Sequence, residues 1–198
     1  TEWPVVMPAG TLAADVTARA AEDERLWLGT AAGRVALGPA GDSCRFAAVE
    51  PSAKVSDVLR DGQGDVWLAT DDEGVLRLRD DEEPALELTG DIQRIALGPN
   101  GELWFTDDRQ PWLLRYRPGG GDDAWSRRPL DSKMTTFNMD TVTVLAVGPN
   151  LDLWLGGSTL EHRGLARFSS GQWSLLTTAD GLADNEVLTI VVAPDGAV

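Results

Sequence analysis

Apolar positions along this chain fall in short recurring runs separated by turn residues. Four times an aliphatic residue is followed by Trp and a small or apolar stretch: Leu26-Trp27-Leu28-Gly29-Thr30, Val66-Trp67-Leu68-Ala69-Thr70, Leu103-Trp104-Phe105-Thr106 and Leu153-Trp154-Leu155-Gly156-Gly157. The Trp-to-Trp steps are 40, 37 and 50 residues, the spacing of an array of supersecondary units. Val55, Ile92 and Val142 lie twelve residues before the second, third and fourth of these tryptophans, and Val58, Ile95 and Leu145 lie nine before. Val16 sits eleven before Trp27, one residue short of the pattern. The segments between are Asp61-Gly62-Gln63-Gly64-Asp65, Gly98-Pro99-Asn100-Gly101-Glu102 and Gly148-Pro149-Asn150-Leu151-Asp152. Such residues supply the positive φ of a tight hairpin, so strand–turn–strand is predicted at each. A helix through Gly-Pro-Asn-Gly is disfavoured.

A third apolar segment follows each Trp strand: Gly33-Arg34-Val35-Ala36-Leu37, Gly74-Val75-Leu76-Arg77-Leu78, Leu113-Leu114-Arg115-Tyr116 and Gly164-Leu165-Ala166-Arg167-Phe168. A fourth is plainest in Gln172-Trp173-Ser174-Leu175-Leu176-Thr177, with Pro84-Ala85-Leu86-Glu87-Leu88 and Trp125 in corresponding places. Four short antiparallel strands per roughly 40–45 residues describe a β-propeller blade. The fold class predicted is therefore all-β, a propeller segment with four whole blades at 11–54, 55–90, 91–137 and 138–180. Residues 1–10 imitate the outer strand of a preceding blade, since Thr1-Glu2-Trp3-Pro4-Val5-Val6 parallels Gln172-Trp173-Ser174-Leu175-Leu176. Residues 181–198 imitate the inner strand of a following one: Val187, Ile190 and Val192 repeat the apolar run, and Pro194-Asp195-Gly196 repeats its turn. The expectation is a sector of a larger propeller, completed by further blades of a parent chain or by self-association.

Composition narrows the partners. The 198 residues carry 17 Lys and Arg against 32 Asp and Glu, a formal charge of −15. That balance argues against nucleic acid, whose phosphates need clustered cations, and against an anionic membrane surface. No apolar run approaches the ~20 residues of a membrane-spanning helix, so direct insertion is not expected, and no signal-peptide pattern opens the segment. The lone Cys44 makes no internal disulfide. With His162 the only histidine, a His-rich metal site cannot be assembled, and Ser158 near it lacks the nucleophile-elbow context. Neither a metal, a cofactor nor catalysis is expected.

The run Gly181-Leu182-Ala183-Asp184-Asn185-Glu186-Val187-Leu188-Thr189-Ile190, together with Leu26-Trp27-Leu28-Gly29-Thr30, resembles the two-component regulator propeller repeat: Gly-Leu-x-x-Asn, an aliphatic strand, a Gly turn, Leu-Trp-Ile-Gly-Thr, then Gly-Leu-x-Arg-Tyr. The resemblance spans essentially the whole chain. It departs at Thr106-Asp107-Asp108, where the repeat is more similar to that of streptogramin-lyase-type propellers, and in the long segments 117–140 and 157–163. It implies a sensor or interaction module, periplasmic or extracellular, ahead of a signalling domain and without catalysis. The departure implies the alternative, part of a propeller lyase or hydrolase; a structural scaffold is a third reading.

Candidate binding residues lie in the loops between second and third strands and in those leading to each inner strand, which share one end of a four-stranded blade. These are Asp71, Asp72, Asp107 and His162 in the first set, and Asp140, Asn185 and Glu186 in the second, with Arg94 beside them. An unidentified small molecule or protein is the expected ligand. A solvated acidic surface accounts for most of the same residues. The four repeated Trp are expected to pack between blades, where buried indole N–H groups need acceptors. Asp61, Asp65, Asp152 and Asp195 sit beside hairpin turns, where short carboxylates satisfy local backbone donors; the alternating carboxylates of a calcium loop are absent.

Overall fold

The computed structural model describes residues 16–22, 25–31, 35–39, 45–47, 53–79, 85–130, 139, 142–157 and 164–198. The chain divides into two compact units, Thr1–Ile92 and Gln93–Val198.

In the first unit β1 (Val16–Glu22), β2 (Arg25–Thr30), β3 (Val35–Pro39) and β4 (Arg45–Ala47) pair in chain order, as do β5 (Val55–Arg60), β6 (Val66–Thr70), β7 (Gly74–Leu78) and β8 (Ala85–Leu88). The second unit repeats the arrangement with β9 (Ile92–Leu97, opening at the division), β10 (Leu103–Asp107), β11 (Trp112–Tyr116) and β12 (Trp125–Pro129), and again with β13 (Val142–Val147), β14 (Leu153–Gly157), β15 (Gly164–Ser169) and β16 (Gln172–Leu176). Four antiparallel four-stranded sheets of this kind are β-propeller blades.

The Trp strands carry the core. Every residue of β6, β10 and β14 is buried, because each strand is flanked by ladders within its sheet and covered on its faces. In the first unit Trp27 clusters with Val55, Val58, Val66, Leu68 and Leu76 of the following blade. In the second, Trp104 clusters with Val142, Leu145, Leu153 and Leu155 of the following blade. The expected inter-blade packing of the indoles is seen at both positions.

The first hairpins of the second, third and fourth blades close the same way. Asp61 N donates to Asp65 O at 2.9 Å, Gly98 N to Glu102 O at 2.8 Å, and Gly148 N to Asp152 O at 2.7 Å. The same turn forms a fourth time at 193–197, where Ala193 N donates to Ala197 O at 2.8 Å. Two third strands, β7 and β15, begin on glycine for a steric reason. Gly74 has φ 123° and a Cβ there would stand 1.9 Å from the Leu88 carbonyl oxygen; Gly164, φ 143°, faces Leu176 in the same way at 2.4 Å.

Three inner strands, β1, β5 and β13, share a bulge at their second residue, with register shifts at Val16/Ala18, Val55/Asp57 and Val142/Val144. A bulge re-aims its side chain, and here it aims hydroxyls outward from the sheet. Thr17 Oγ1 donates to the carbonyl of Val55, the first residue of the next inner strand. Thr143 Oγ1 donates in the same way to the carbonyl of Val187. Residues 187–192 thus lie beside β13 and β14, with Val187 N donating to Gly157 O at 3.2 Å. They form no ladder among the described residues. The outer strand expected at 1–10 falls outside the described residues.

Candidate functional site

Each blade has two ends: that of the first hairpin turn and that of the loop joining second and third strands. The hairpin end is built from a carboxylate, a guanidinium and an indole. In the second blade Asp61, buried, accepts from Gln63 N at 2.9 Å and Asp65 N at 3.1 Å through Oδ1, and from Trp67 Nε1 at 2.8 Å through Oδ2. Arg77, cross-strand partner of Trp67, lies 4.8 Å over its ring and donates from Nε to Asp65 at 2.7 Å. The fourth blade repeats this: Arg167 lies 4.8 Å over Trp154 and donates to Asp152 at 2.6 Å. That hydrogen bond holds the Asp152 carboxyl below the usual carboxylate range. Asp61 and Asp195 therefore serve local backbone donors as expected, whereas Asp65 and Asp152 are ion-paired across the sheet.

The third blade varies the theme. Arg115 lies 5.4 Å over Trp104, and Arg128 lies 5.8 Å over the same ring and 4.4 Å over Phe168. Burial, and secondarily the charge of Arg115, lower the pKa of Arg128. Gly98 stands at the position of Asp61, and the Glu102 carboxylate fills its side-chain space: a Cβ on Gly98 would come within 2.1 Å of Glu102 Oε1. Both Glu102 carboxylate oxygens and Trp104 Nε1 are buried without a hydrogen-bond partner among the described residues. Cation–π stacks and paired charges of this kind stiffen a hairpin.

The opposite end holds the sequence-predicted binding residues. In the first unit Asp71 N donates to Lys54 O at 3.0 Å, and its carboxylate receives the Ser56 hydroxyl and Lys54 Nζ, the latter at 3.3 Å. Asp72 follows it, exposed and left-handed with φ 69°. In the second unit Arg94 N donates to Thr106 Oγ1 at 3.1 Å, while its guanidinium donates to Thr143 O and Gln93 O, each at 2.6 Å. Arg94 thereby ties β9 to β13. Asp107, buried, closes a local turn by accepting from Arg109 N at 2.9 Å. Asn185 Oδ1 accepts from Thr178 N at 2.6 Å, and Glu186 is exposed, its N donating to Asp184 Oδ1 at 2.9 Å. Asp71 and Asp72 are adjacent in the first unit; in the second, Arg94 bonds across to β13, whereas Asp107, Asn185 and the Glu186 amide bond within their own loops. Asp140 and His162 lie outside the described residues.

Sequence reasoning missed Ser56 and Thr143, and with them the bulge that aims their hydroxyls. The signal was present in Val16-Thr17, Val55-Ser56 and Val142-Thr143, but an aliphatic–hydroxyl pair has no distinctive weight alone. Among the described residues no group of three or more His, Cys, Asp or Glu could hold a metal ion, and no helix is long and apolar enough to cross a membrane.

No protein-family model matches the sequence, and no curated protein matches it significantly. Solved structures do. Virginiamycin B lyase from Staphylococcus aureus is similar at a TM-score of 0.64 and 16% identity, covering 81% of this chain and 55% of the lyase. The extracellular domain of a hybrid two-component system from B. thetaiotaomicron is similar at 0.68 and 16% identity, covering 91% of this chain and 25% of that one. The extracellular domain of a one-component system from the same organism is similar at 0.66 and 15% identity, covering 96% and 26%. The chain spans about half of the lyase and a quarter of the sensor domains. At these identities the likeness establishes the fold, blades of a β-propeller.

Proposed function

We propose that this chain is a non-catalytic ligand-sensing or protein-interaction propeller segment, serving as the extracytoplasmic sensor of a bacterial signalling protein. The observation that supports it best is the commitment of polar groups at the loop end. Asp71, Arg94, Asp107 and Asn185 each bond within the chain, so they shape the loops rather than wait for a proton or a substrate. Recognition falls to the loop surfaces themselves, with Asp72 and Glu186 exposed there. The similarity to extracellular domains of signalling systems over more than nine-tenths of the chain supports the sensor role and the extracytoplasmic location. Titration calorimetry against cationic peptides and small sugars tests this. Binding should weaken about tenfold or more in Asp72→Lys and Glu186→Lys variants, a loss of roughly 1.4 kcal/mol or more, with melting unchanged. Each variant tests the loop surface of its own unit, and binding indifferent to both charge reversals would contradict recognition at the loops.

A second reading, a propeller lyase, is favoured by Leu103-Trp104-Phe105-Thr106-Asp107 and by the similarity to virginiamycin B lyase. Incubation with a streptogramin B antibiotic, followed by chromatography, decides it: unaltered antibiotic supports the sensor, conversion supports the enzyme.

A further inference from the structure

Four buried donors lie in the wedge between the third and fourth blades. Trp104 Nε1, Trp173 Nε1, Arg115 Nε and Arg128 Nε have no hydrogen-bond partner among the described residues. Trp104 and Trp173 belong to one apolar cluster, with Phe168 packed against it. Arg115 and Arg128 share the Trp104 ring, at 5.4 and 5.8 Å, and Arg128 reaches on to the Phe168 ring of the fourth blade at 4.4 Å. Phe168 is in turn the cross-strand partner of Trp173. An unmet buried donor destabilises the fold. The two guanidiniums also repel each other, and the Arg115 charge adds to burial in lowering the pKa of Arg128.

Two departures from the other blades produce this arrangement. Arg115 lies opposite Trp104 as Arg77 lies opposite Trp67 and Arg167 opposite Trp154. Those two arginines donate to Asp65 and Asp152. Glu102 stands at the same place, just before the aliphatic–Trp pair, yet its carboxylate fills the space beside Gly98 and makes no bond to Arg115 among the described residues. The second departure is Arg128. It pairs with Leu113 where Ala47, Leu88 and Leu176 pair with Val35, Val75 and Leu165. The third blade therefore sets two half-buried guanidiniums where the second and fourth set one that is ion-paired.

We propose that Arg115 and Arg128 form an anion site whose ligand is a carboxylate, taking beside Arg115 the place that Asp65 takes beside Arg77. The internal pairs argue for this group, since they show which oxyanion the strand position accommodates. Guanidiniums hold a carboxylate through charge-assisted hydrogen bonds. The formal charge of −15 repels multiply charged anions, which favours a single carboxylate over a phosphate. Partial exposure of both arginines leaves the site open to solvent. The inference does not depend on whether the loop end binds a ligand.

Nuclear magnetic resonance of the side-chain N–H groups, with the chain titrated by sodium acetate at constant ionic strength, tests it. The Arg115 and Arg128 Nε–H signals should move together and saturate, and sodium chloride should not move them. A blocked Ala-Glu-Ala peptide titrated in parallel identifies the source of the carboxylate. Tighter binding than acetate assigns it to a side chain of a partner protein, and equal or weaker binding assigns it to a free acid. Arg128→Leu places there the residue of the second and fourth blades, so the melting temperature should hold or rise as a poorly solvated charge leaves. Acetate affinity should nevertheless fall about tenfold or more. Arg127→Leu, which alters the neighbouring exposed arginine over Trp112, should leave that affinity unchanged. The proposal is overturned by signals that never saturate, by equal responses to acetate and chloride, by saturation with inorganic phosphate alone, or by full affinity in Arg128→Leu.

Discussion

Asp61 receives three donors with one carboxylate, two from its turn and one from Trp67. Leaving a buried donor without its acceptor costs about 1–3 kcal/mol, so Asp61→Ala should lower stability by roughly 2–3 kcal/mol in urea melts. Asp61→Asn, which keeps one acceptor oxygen, should lose less. Asp152 gives a pH signature. Its carboxyl is held low by the Arg167 hydrogen bond, so the folded state favours the ionised form relative to an unfolded Asp near 3.9. The stabilisation is complete above about pH 4 and is lost as pH falls through the folded value. Urea melts between pH 7 and 3 should therefore show a shallower acid loss in Asp152→Asn than in the parent chain. Sequence reasoning saw the turn carboxylates and could not see their partners. Arg77 and Arg167 recur opposite Trp67 and Trp154, but at ten and thirteen residues' separation, so only the strand register reveals the pairing.

At the scale of the strand, legibility followed burial. The Trp strands open on an aliphatic-Trp-apolar run whose every position is buried, and their sequences stood out at once. The fourth strands are half exposed, as in β8 and β16, so fewer of their positions are constrained and their pattern is faint. The bulge at the second inner-strand residue left no clear trace, since a register shift is a property of two strands together. Third strands open on glycine where the fourth strand's carbonyl crosses them. Gly74→Ala combines a left-handed φ with that clash and should cost roughly 3 kcal/mol or more. Gly101→Ala, with φ 79° but open space around its Cβ, should cost only about 1–2 kcal/mol. Paired thermal melts of the two variants separate backbone strain from steric contact; equal losses would contradict the crossing.

For the chain as a whole, repetition decides the architecture while leaving the ligand open. Period, turn chemistry and the Trp positions predicted blades. The loop-end residues were legible as polar loops, but not that Arg94 would bridge β9 and β13 or that Asp71 would take the Ser56 hydroxyl. Those bonds turn several candidate ligands into parts of the scaffold. The central claim is that the four Trp strands are the doubly covered interior of propeller blades, with residues 187–192, which form no ladder among the described residues, as the contrast. Hydrogen exchange across the 198 residues measures this directly. Amides of β2, β6, β10 and β14 should exchange slowest, with Thr189 and Val191 orders of magnitude faster. Trp-strand amides exchanging as fast as those of 187–192 would contradict the account.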